Sequence, residues 1–301
     1  MTRRRPLPDE LAIAPFRSRE AAALGVPPRR LAASDLHRPF HGMRTSSAPD
    51  ASVIERARVL AVVMREGDAF SHTTAAALMG AQLPRFRDTR LHVTTTGGGD
   101  RMQRPGVVGH RARELPTAMW ADLPVIAPAT VWVQLAPMLA HDDLVAVGDR
   151  WVTPPRRGTT RRAPLTSVGA LAAAVGRGVR GAARARRALA DVRVGAESRM
   201  ETKLRLLLLR AGLPEPLLNP PIRVGDRTLH PDLAYPRWST VLEYEGDGHR
   251  TDPSRWRSDI SRREAFEAAG WRVIRVHRDD VLAEPEAFLA RVCHVLAGRG
   301  R

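Results

Sequence analysis

A chain of 301 residues with 43% hydrophobic and 27% charged side chains has the composition of folded protein, with length for two or three small cores, and excludes a disordered or fibrous class. The formal charge of +16 points to a polyanionic partner such as nucleic acid, although Lys203 is the only lysine among 48 basic residues, so part of the charge reads as a coding bias toward arginine. A single cysteine, Cys293, excludes an intrachain disulfide framework and a cysteine-rich zinc site and fits a reducing cytoplasm, and no apolar run approaches the ~20 residues that span a bilayer.

Arg3-Arg4-Arg5 is followed by proline and acidic residues rather than an apolar stretch, so no secretory leader is expected. Ser18 is expected to cap a short helix reaching Leu24, with Gly25-Val26 as the turn. Pro27 or Pro28 then suits the first turn of a second helix carrying Arg29 and Arg30. His37 to Gly42 reads as an extended, hairpin-like piece. Two short helices, a glycine turn and a β wing describe a winged helix-turn-helix over residues 1–46, with Arg29 and Arg30 as nucleic-acid contacts. A helical hairpin packed on the next segment accounts for the same pattern.

Residues 47–153 read as a small α/β module: helices from Val53 to Met64 and from Ser71 to Met79, strands at 91–96 and 106–110, and apolar stretches at 124–139 and 142–152. Gly97-Gly98-Gly99 is a turn without the Lys-Ser/Thr of a phosphate loop. His72 and His110 are candidates for one site, against the ordinary reading of isolated histidines as hydrogen-bonded structural residues.

No acidic residue occurs between Asp149 and Asp191, a stretch that holds Arg150, Arg177, Arg184, Arg186 and Arg187 among its arginines. Pro154-Pro155 and the polar residues after it read as a linker, and Leu165 to Val192 as one or two amphipathic helices. Residues 154–194 are therefore a basic linker with helices, either a surface that tracks phosphates, with Arg184, Arg186 and Arg187 as contacts, or a solvated basic face.

Residues 195–301 are the best-organised part. A helix from about Glu197 to Ala211 carries Met200, Leu204, Leu207, Leu208 and Ala211 on one stripe, with Glu201 at its border. Strands are expected near 221–224, 229–235 and 239–245, then a helix from Pro253 to Ala269, a strand at 271–277 and a helix from Pro285 to Ala297. This order predicts a mixed sheet flanked by helices. Strand geometry places Glu243 and Glu245 on one face about 7 Å apart, with Asp232 beside them through the turn at Pro236 to Ser239. Three carboxylates about 5 Å apart repel by roughly 3 kcal/mol per pair at an effective dielectric near 20. Something must neutralise them, and a hard divalent cation, Mg²⁺ or Mn²⁺, is the expected answer. The plainer alternative leaves Glu243 and Glu245 as solvent-facing strand residues and His249 as a loop residue.

Several segments together, METKLRLLL at 200–208, HPDLAY at 230–235, VLEYEGDGHR at 241–250, Asp259 to Arg262 and GWRVIRV at 270–276, resemble the PD-(D/E)XK nuclease superfamily and its very-short-patch-repair-like branch. The resemblance covers about the last hundred residues and implies a restriction-endonuclease-like fold. It implies Asp232 and Glu243 as metal-binding carboxylates and Glu201 as a supporting acid. Glu245 falls where many members carry a lysine that activates water. That departure implies either that Glu245 joins the metal site while His249 moves protons, or that efficient cleavage has been lost. Arg255, Arg257 and Arg262 are candidate clamps for phosphate oxygens.

More weakly, EAAALGVPPRRL at 20–31, FSHTTAAALMG at 70–80 and the strand LHVTTT resemble AbiEi-type antitoxin and regulator proteins of type IV toxin-antitoxin systems, which implies a protein partner in such a defence system. The expectation is a cytoplasmic α/β protein that binds DNA and carries a Mg²⁺-dependent endonuclease-like domain. The alternative is a non-catalytic DNA-binding regulator or antitoxin that keeps the nuclease fold as a binding module.

Overall fold

The computed structural model describes residues 6–46, 52–157, 160–161, 163–176, 180–245 and 253–298; for 156–157, 160–161 and 253–260 only the backbone path is described. The protein is mixed α/β and falls into two compact units, Met1–Met138 with Ala174–Gly181, and Leu139–Ala173 with Ala182–Arg301. Among the described residues no helix is long and apolar enough to cross a membrane.

The first unit opens with α1 (Asp9–Ala12), β1 (Phe16–Arg17), α2 (Ser18–Ala23), α3 (Pro28–Leu31) and β2 (Met43–Arg44). Leu11, Phe16, Ala21, Val26, Leu31 and Leu36 form their core. β2 pairs antiparallel with β1, Phe16 opposite Arg44, and His37 exchanges both backbone hydrogen bonds with Thr45 in an antiparallel bridge, so the chain from His37 folds back on itself as the hairpin-like reading expects. Arg17, not Ser18, is the N-cap of α2, and Glu20 returns its carboxylate to the Arg17 N–H.

The unit continues with α4 (Val53–Ala61), β3 (Asp68–Phe70), α5 (His72–Leu78), β4 (Leu91–Thr95), β5 (Val107–Arg111), β6 (Thr117–Trp120), β7 (Leu123–Ile126) and α6 (Pro128–Leu135). The five strands form one mixed sheet in the order β5-β4-β3-β7-β6, with β4 parallel to β5 and antiparallel to β3. All five residues of β4 are buried, as expected of a β-branched central strand, and Trp132 and Leu135 of α6 are fully buried.

The second unit contains α7 (His141–Val152), β8 (Arg156–Arg157), β9 (Thr160–Arg161), α8 (Val168–Ala174), α9 (Ala182–Asp191), α10 (Arg199–Arg210), β10 (Leu217–Leu218), β11 (Ile222–Val224), β12 (Arg227–Leu229), β13 (Leu233–Tyr235), β14 (Thr240–Tyr244), α11 (Pro253–Ala268), β15 (Arg272–Val276), α12 (Arg278–Leu282) and α13 (Pro285–Gly298). Its main sheet runs β10-β13-β14-β15, with β14 antiparallel to β13 and parallel to β15. Alternation along the strands divides the core. Leu233, Leu242, Ile274 and Val276 pack with Leu204 and Leu208 of α10 and Phe288 and Val292 of α13, whereas Ala234 and Val241 pack with Phe266 of α11. Each fully buried leucine contributes about 1.5–3 kcal/mol, which makes these two layers the main anchor of the sheet.

Two boundaries differ from expectation. The strand expected over 229–235 is broken at His230-Pro231-Asp232, because Pro231 has no N–H for a ladder; β12 pairs with β11 in a separate ribbon and β13 with β14. Helix α7, expected to close the front module, packs instead on α10. Asp149 and Arg205, both fully buried, pair at 3.0 Å, and Asp143 takes Arg199 and Lys203 at 2.8 Å each. Thr202 Oγ1 and the Arg193 N–H complete the ring of donors around Asp149.

Candidate functional site

The expected carboxylates gather where β13 enters the main sheet of the second unit. Leu233 lies opposite Leu242, so one further step of the same register sets Asp232 opposite Glu243. The Tyr244 N–H donates to Asp232 Oδ2 at 2.7 Å, and the Asn219 N–H to the Asp232 carbonyl at 3.0 Å. Glu243 shares its face with Val241, the face covered by α11. From α11, Arg262 places Nη2 3.0 Å and Nε 3.1 Å from Glu243 Oε1, and Nη2 also donates to the His230 carbonyl.

Glu201 reaches the same neighbourhood from the first turn of α10. Ser198 caps that helix by accepting from the Glu201 N–H at 3.2 Å, which fixes where the glutamate begins. Its side chain is only 6% exposed and accepts from the Glu197 N–H at 2.8 Å and from Asn219 Nδ2 at 3.2 Å. Burial, followed by the nearby charge of Asp232, pushes the Glu201 carboxyl up to about 8. The side chain expected at the border of the stripe is thus inside the site, where burial favours its protonated form.

Glu245 has an arginine partner of its own. It lies on the Glu243 face, but its carboxylate is paired by both Nε and Nη2 of Arg275, with His277 Nδ1 at 3.9 Å. Parallel pairing makes Arg275 the direct partner of Glu243 on β15, so one arginine stands beside both glutamates. Arginine therefore supplies neutralisation that sequence reasoning assigned wholly to a metal ion. Among the described residues, no three acids converge closely enough to offer one ion three ligand atoms. His249, Arg255 and Arg257 lie outside the residues whose side chains are described.

The basic candidates separate by burial. Arg30 is buried and forks onto Asp35 with both contacts at 2.9 Å, so its guanidinium is committed within the first unit, while Arg29 is exposed. In α9 the alanines at 182, 185 and 188 are buried, and Arg184, Arg186 and Arg187 project to the exposed side. Arg184 still donates to the Leu139 carbonyl at 2.6 Å. All three are exposed, and of them Arg184 also spends one N–H within the second unit.

Sequence reasoning named two of the three members of a second constellation, in the first unit. His72 begins α5, His92 lies on β4 and His110 on β5; the rings of His72 and His110 stack with centroids 3.9 Å apart, and each lies 5.2 Å from His92. His92 Nδ1 approaches His110 Nε2 to 2.9 Å. Pairing His72 with His110 was within reach of the sequence; His92 was not singled out, although two neighbouring β-rich segments each carrying one histidine were the available signal.

Two proteins of Mycobacterium tuberculosis, one from strain CDC 1551 / Oshkosh and one from strain H37Rv, are each 28% identical to this chain over 264 residues, covering 87% of it and 92% of their own length. Both are described as uncharacterized, and the similarity runs through both units. No protein-family model matches the sequence.

Proposed function

We propose that the protein binds DNA in the cytoplasm and that its second unit is a PD-(D/E)XK-like nuclease domain, with Asp232 and Glu243 as ligands for Mg²⁺ or Mn²⁺ and Glu201 in support. The observation that carries this reading is Asp232, one residue before β13, accepting from the Tyr244 N–H at 2.7 Å next to Glu243, with the buried Glu201 carboxyl close enough to feel the charge of Asp232. Like charges directly opposite each other weaken a sheet unless a cation intervenes. The donor set fits a hard dication, being carboxylate oxygens. A divalent ion there supplies Lewis acidity toward a phosphodiester and acidifies a bound water. Arg262, already at the rim on Glu243, is placed to take a non-bridging phosphate oxygen by exchanging partners. In the first unit α2, α3 and the β1-β2 pair are the elements of a winged helix with Arg29 outward, in line with an AbiEi-like front part.

A second reading has its own observation. Arg262 on Glu243 and Arg275 on Glu245 neutralise two acids without metal, which favours a regulator or antitoxin that keeps the fold for binding. Supercoiled DNA incubated with Mg²⁺ or Mn²⁺ separates the two. Nicking is expected from the native protein and a loss of at least about 100-fold in Asp232→Asn and Glu243→Gln, with DNA affinity kept. Salt-dependent binding without cleavage in any protein supports the regulator, and no DNA binding at low salt overturns both.

A further inference from the structure

We propose that His72, His92 and His110 form a binding site for a first-row transition-metal dication of the zinc class, with three imidazole donors and a fourth position open to an exogenous ligand. The proposal uses none of the carboxylates of the second unit and stands or falls independently of the nuclease reading.

The geometry is that of a site assembled from separate elements. One donor nitrogen from each histidine can be chosen so that all lie within 4.8 Å of one another, and this is the one such group of three among the described residues. Tetrahedral zinc with bonds of about 2.0–2.1 Å sets its ligand nitrogens about 3.3 Å apart. The 2.9 Å approach of His92 Nδ1 to His110 Nε2 is already near that spacing, while the stacked rings of His72 and His110 would splay for their nitrogens to converge on one ion. For both nitrogens to serve an ion, the ring that carries the hydrogen of this contact shifts it to its other nitrogen and stays neutral. Ser71 Oγ lies 3.0 Å from His72 Nδ1, which leaves Nε2 of that ring for the ion.

Backbone features hold the three rings in place. His72 sits at φ +50°, in the left-handed region that side chains other than glycine rarely occupy, and its N–H is held at 3.1 Å by Gln134 Oε1 of α6. Strain of this sort gathers where a side chain must be aimed. His92 is buried, and Thr74 Oγ1 accepts from its N–H at 2.7 Å. Immediately before His110, Gly109 lets the Met102 carbonyl pass 2.0 Å from where a Cβ would stand, so the close path of the chain beside β5 requires glycine.

The chemistry selects the ion. Neutral imidazole suits zinc, cobalt, nickel and copper, and not magnesium. Burial first, and then the other histidines, lower His72 to about 3, while burial and His110 lower His92 to about 4, so these rings are neutral ligands at physiological pH. Arg180 near His72, Arg101 near His110 and Arg90 near His92 make the surroundings cationic, apart from Asp88. Such a field favours an anion, hydroxide or phosphate, in the fourth position.

Untagged full-length protein, stripped with chelator, is titrated with Co²⁺ and then Zn²⁺. The expected result is one ion per chain, intense visible bands of tetrahedral Co²⁺ displaced by Zn²⁺, no competition from Mg²⁺ and a perturbation of the bands by azide. His72→Asn and His110→Asn, both at half-buried positions, are each expected to weaken binding at least about tenfold while circular dichroism stays native. Should a variant fail to fold, nitrogen NMR of the native protein reads the same question: Zn²⁺ must move ring resonances of all three histidines. Weak octahedral bands, equal affinity in the variants or unmoved rings overturn the site, and bands indifferent to azide overturn the open position.

Discussion

The two clusters of titratable groups meet burial in opposite ways. In the first unit three histidines crowd together and shed charge, with His72 lowered to about 3 and His92 to about 4. In the second unit carboxylates crowd together; burial pushes Glu201 toward its neutral, protonated form, and Glu243 and Glu245 take arginines. Desolvation disfavours the charged form in both places, but imidazole reaches neutrality by a proton loss that is easy at pH 7, whereas a carboxylate reaches it only against its ordinary acidity. A histidine cluster thus becomes a set of neutral ring nitrogens that needs no counter-charge. A carboxylate cluster needs a cation, and this chain, with 48 basic residues, has arginine to hand.

The largest expected effect breaks the arginine solution where it is most buried. Arg205→Met leaves Asp149 fully buried without its guanidinium, and burial, the leading influence on that carboxyl, already raises its pKa. Removing one partner of a buried pair costs about 3–5 kcal/mol, so Arg205→Met is expected to unfold well below the native protein in urea. Asp149→Asn together with Arg205→Met should recover part of that loss, since Asn removes the buried charge, keeps an acceptor for the Arg193 N–H and can donate from Nδ2 to Thr202 Oγ1. Equal urea midpoints for Arg205→Met and the native chain would show the pair to be dispensable.

The opposite responses also predict opposite pH slopes. His72 and His92 have folded values below the ordinary 6.5, so the unfolded chain takes up protons first; their contribution to stability is complete above about pH 6.5 and is lost as pH falls toward about 4 and 3. Glu201 is raised from 4.5 to about 8, so its contribution is complete below about pH 4.5 and is lost as pH rises toward 8. NMR titration should find these two imidazoles unmoved between about pH 5 and 8, and a Glu201 carboxyl carbon that moves with a midpoint near 8. Glu201→Gln should stabilise the fold above about pH 8 by on the order of 1–2 kcal/mol and change little near pH 5. A Glu201 midpoint near 4.5 would remove the basis for that gain.

How much of this was legible depended on whether the signal was periodic. The leucine stripe of α10 and the alternation in VLEY announce their elements, and the turn at Pro236 to Ser239 is a 3₁₀ turn closed by Ser239 at φ +42°. The alignment of Asp232 with Glu243 follows from that hairpin. What escaped was non-local. The pairing of Asp149 with Arg205 that draws α7 onto α10 spans 56 positions and leaves no pattern in either helix. The commitment of Arg30 to Asp35 and of Glu245 to Arg275 likewise depends on which elements lie side by side. His92 escaped because a histidine inside a β-branched run looks like any buried polar residue until β5 brings His110 against it.

The smallest expected effect tests whether the second unit treats its two glutamates differently. Glu245 is about one-third exposed and Arg275 about half exposed, and solvent-accessible ion pairs of this kind are worth about 0–1 kcal/mol. Glu245→Gln should therefore shift the urea midpoint little. Because its carboxylate is held by Arg275 with His277 nearby, while Asp232 and Glu243 face each other, the change should also leave Mn²⁺ affinity within about twofold of native. Glu243→Gln, on the partner of Asp232, should lower that affinity at least about tenfold. Calorimetric Mn²⁺ titrations of the two variants under one buffer give the contrast directly. A loss as large in Glu245→Gln as in Glu243→Gln would mean that Arg275 gives way when metal arrives and that Glu245 is a ligand after all.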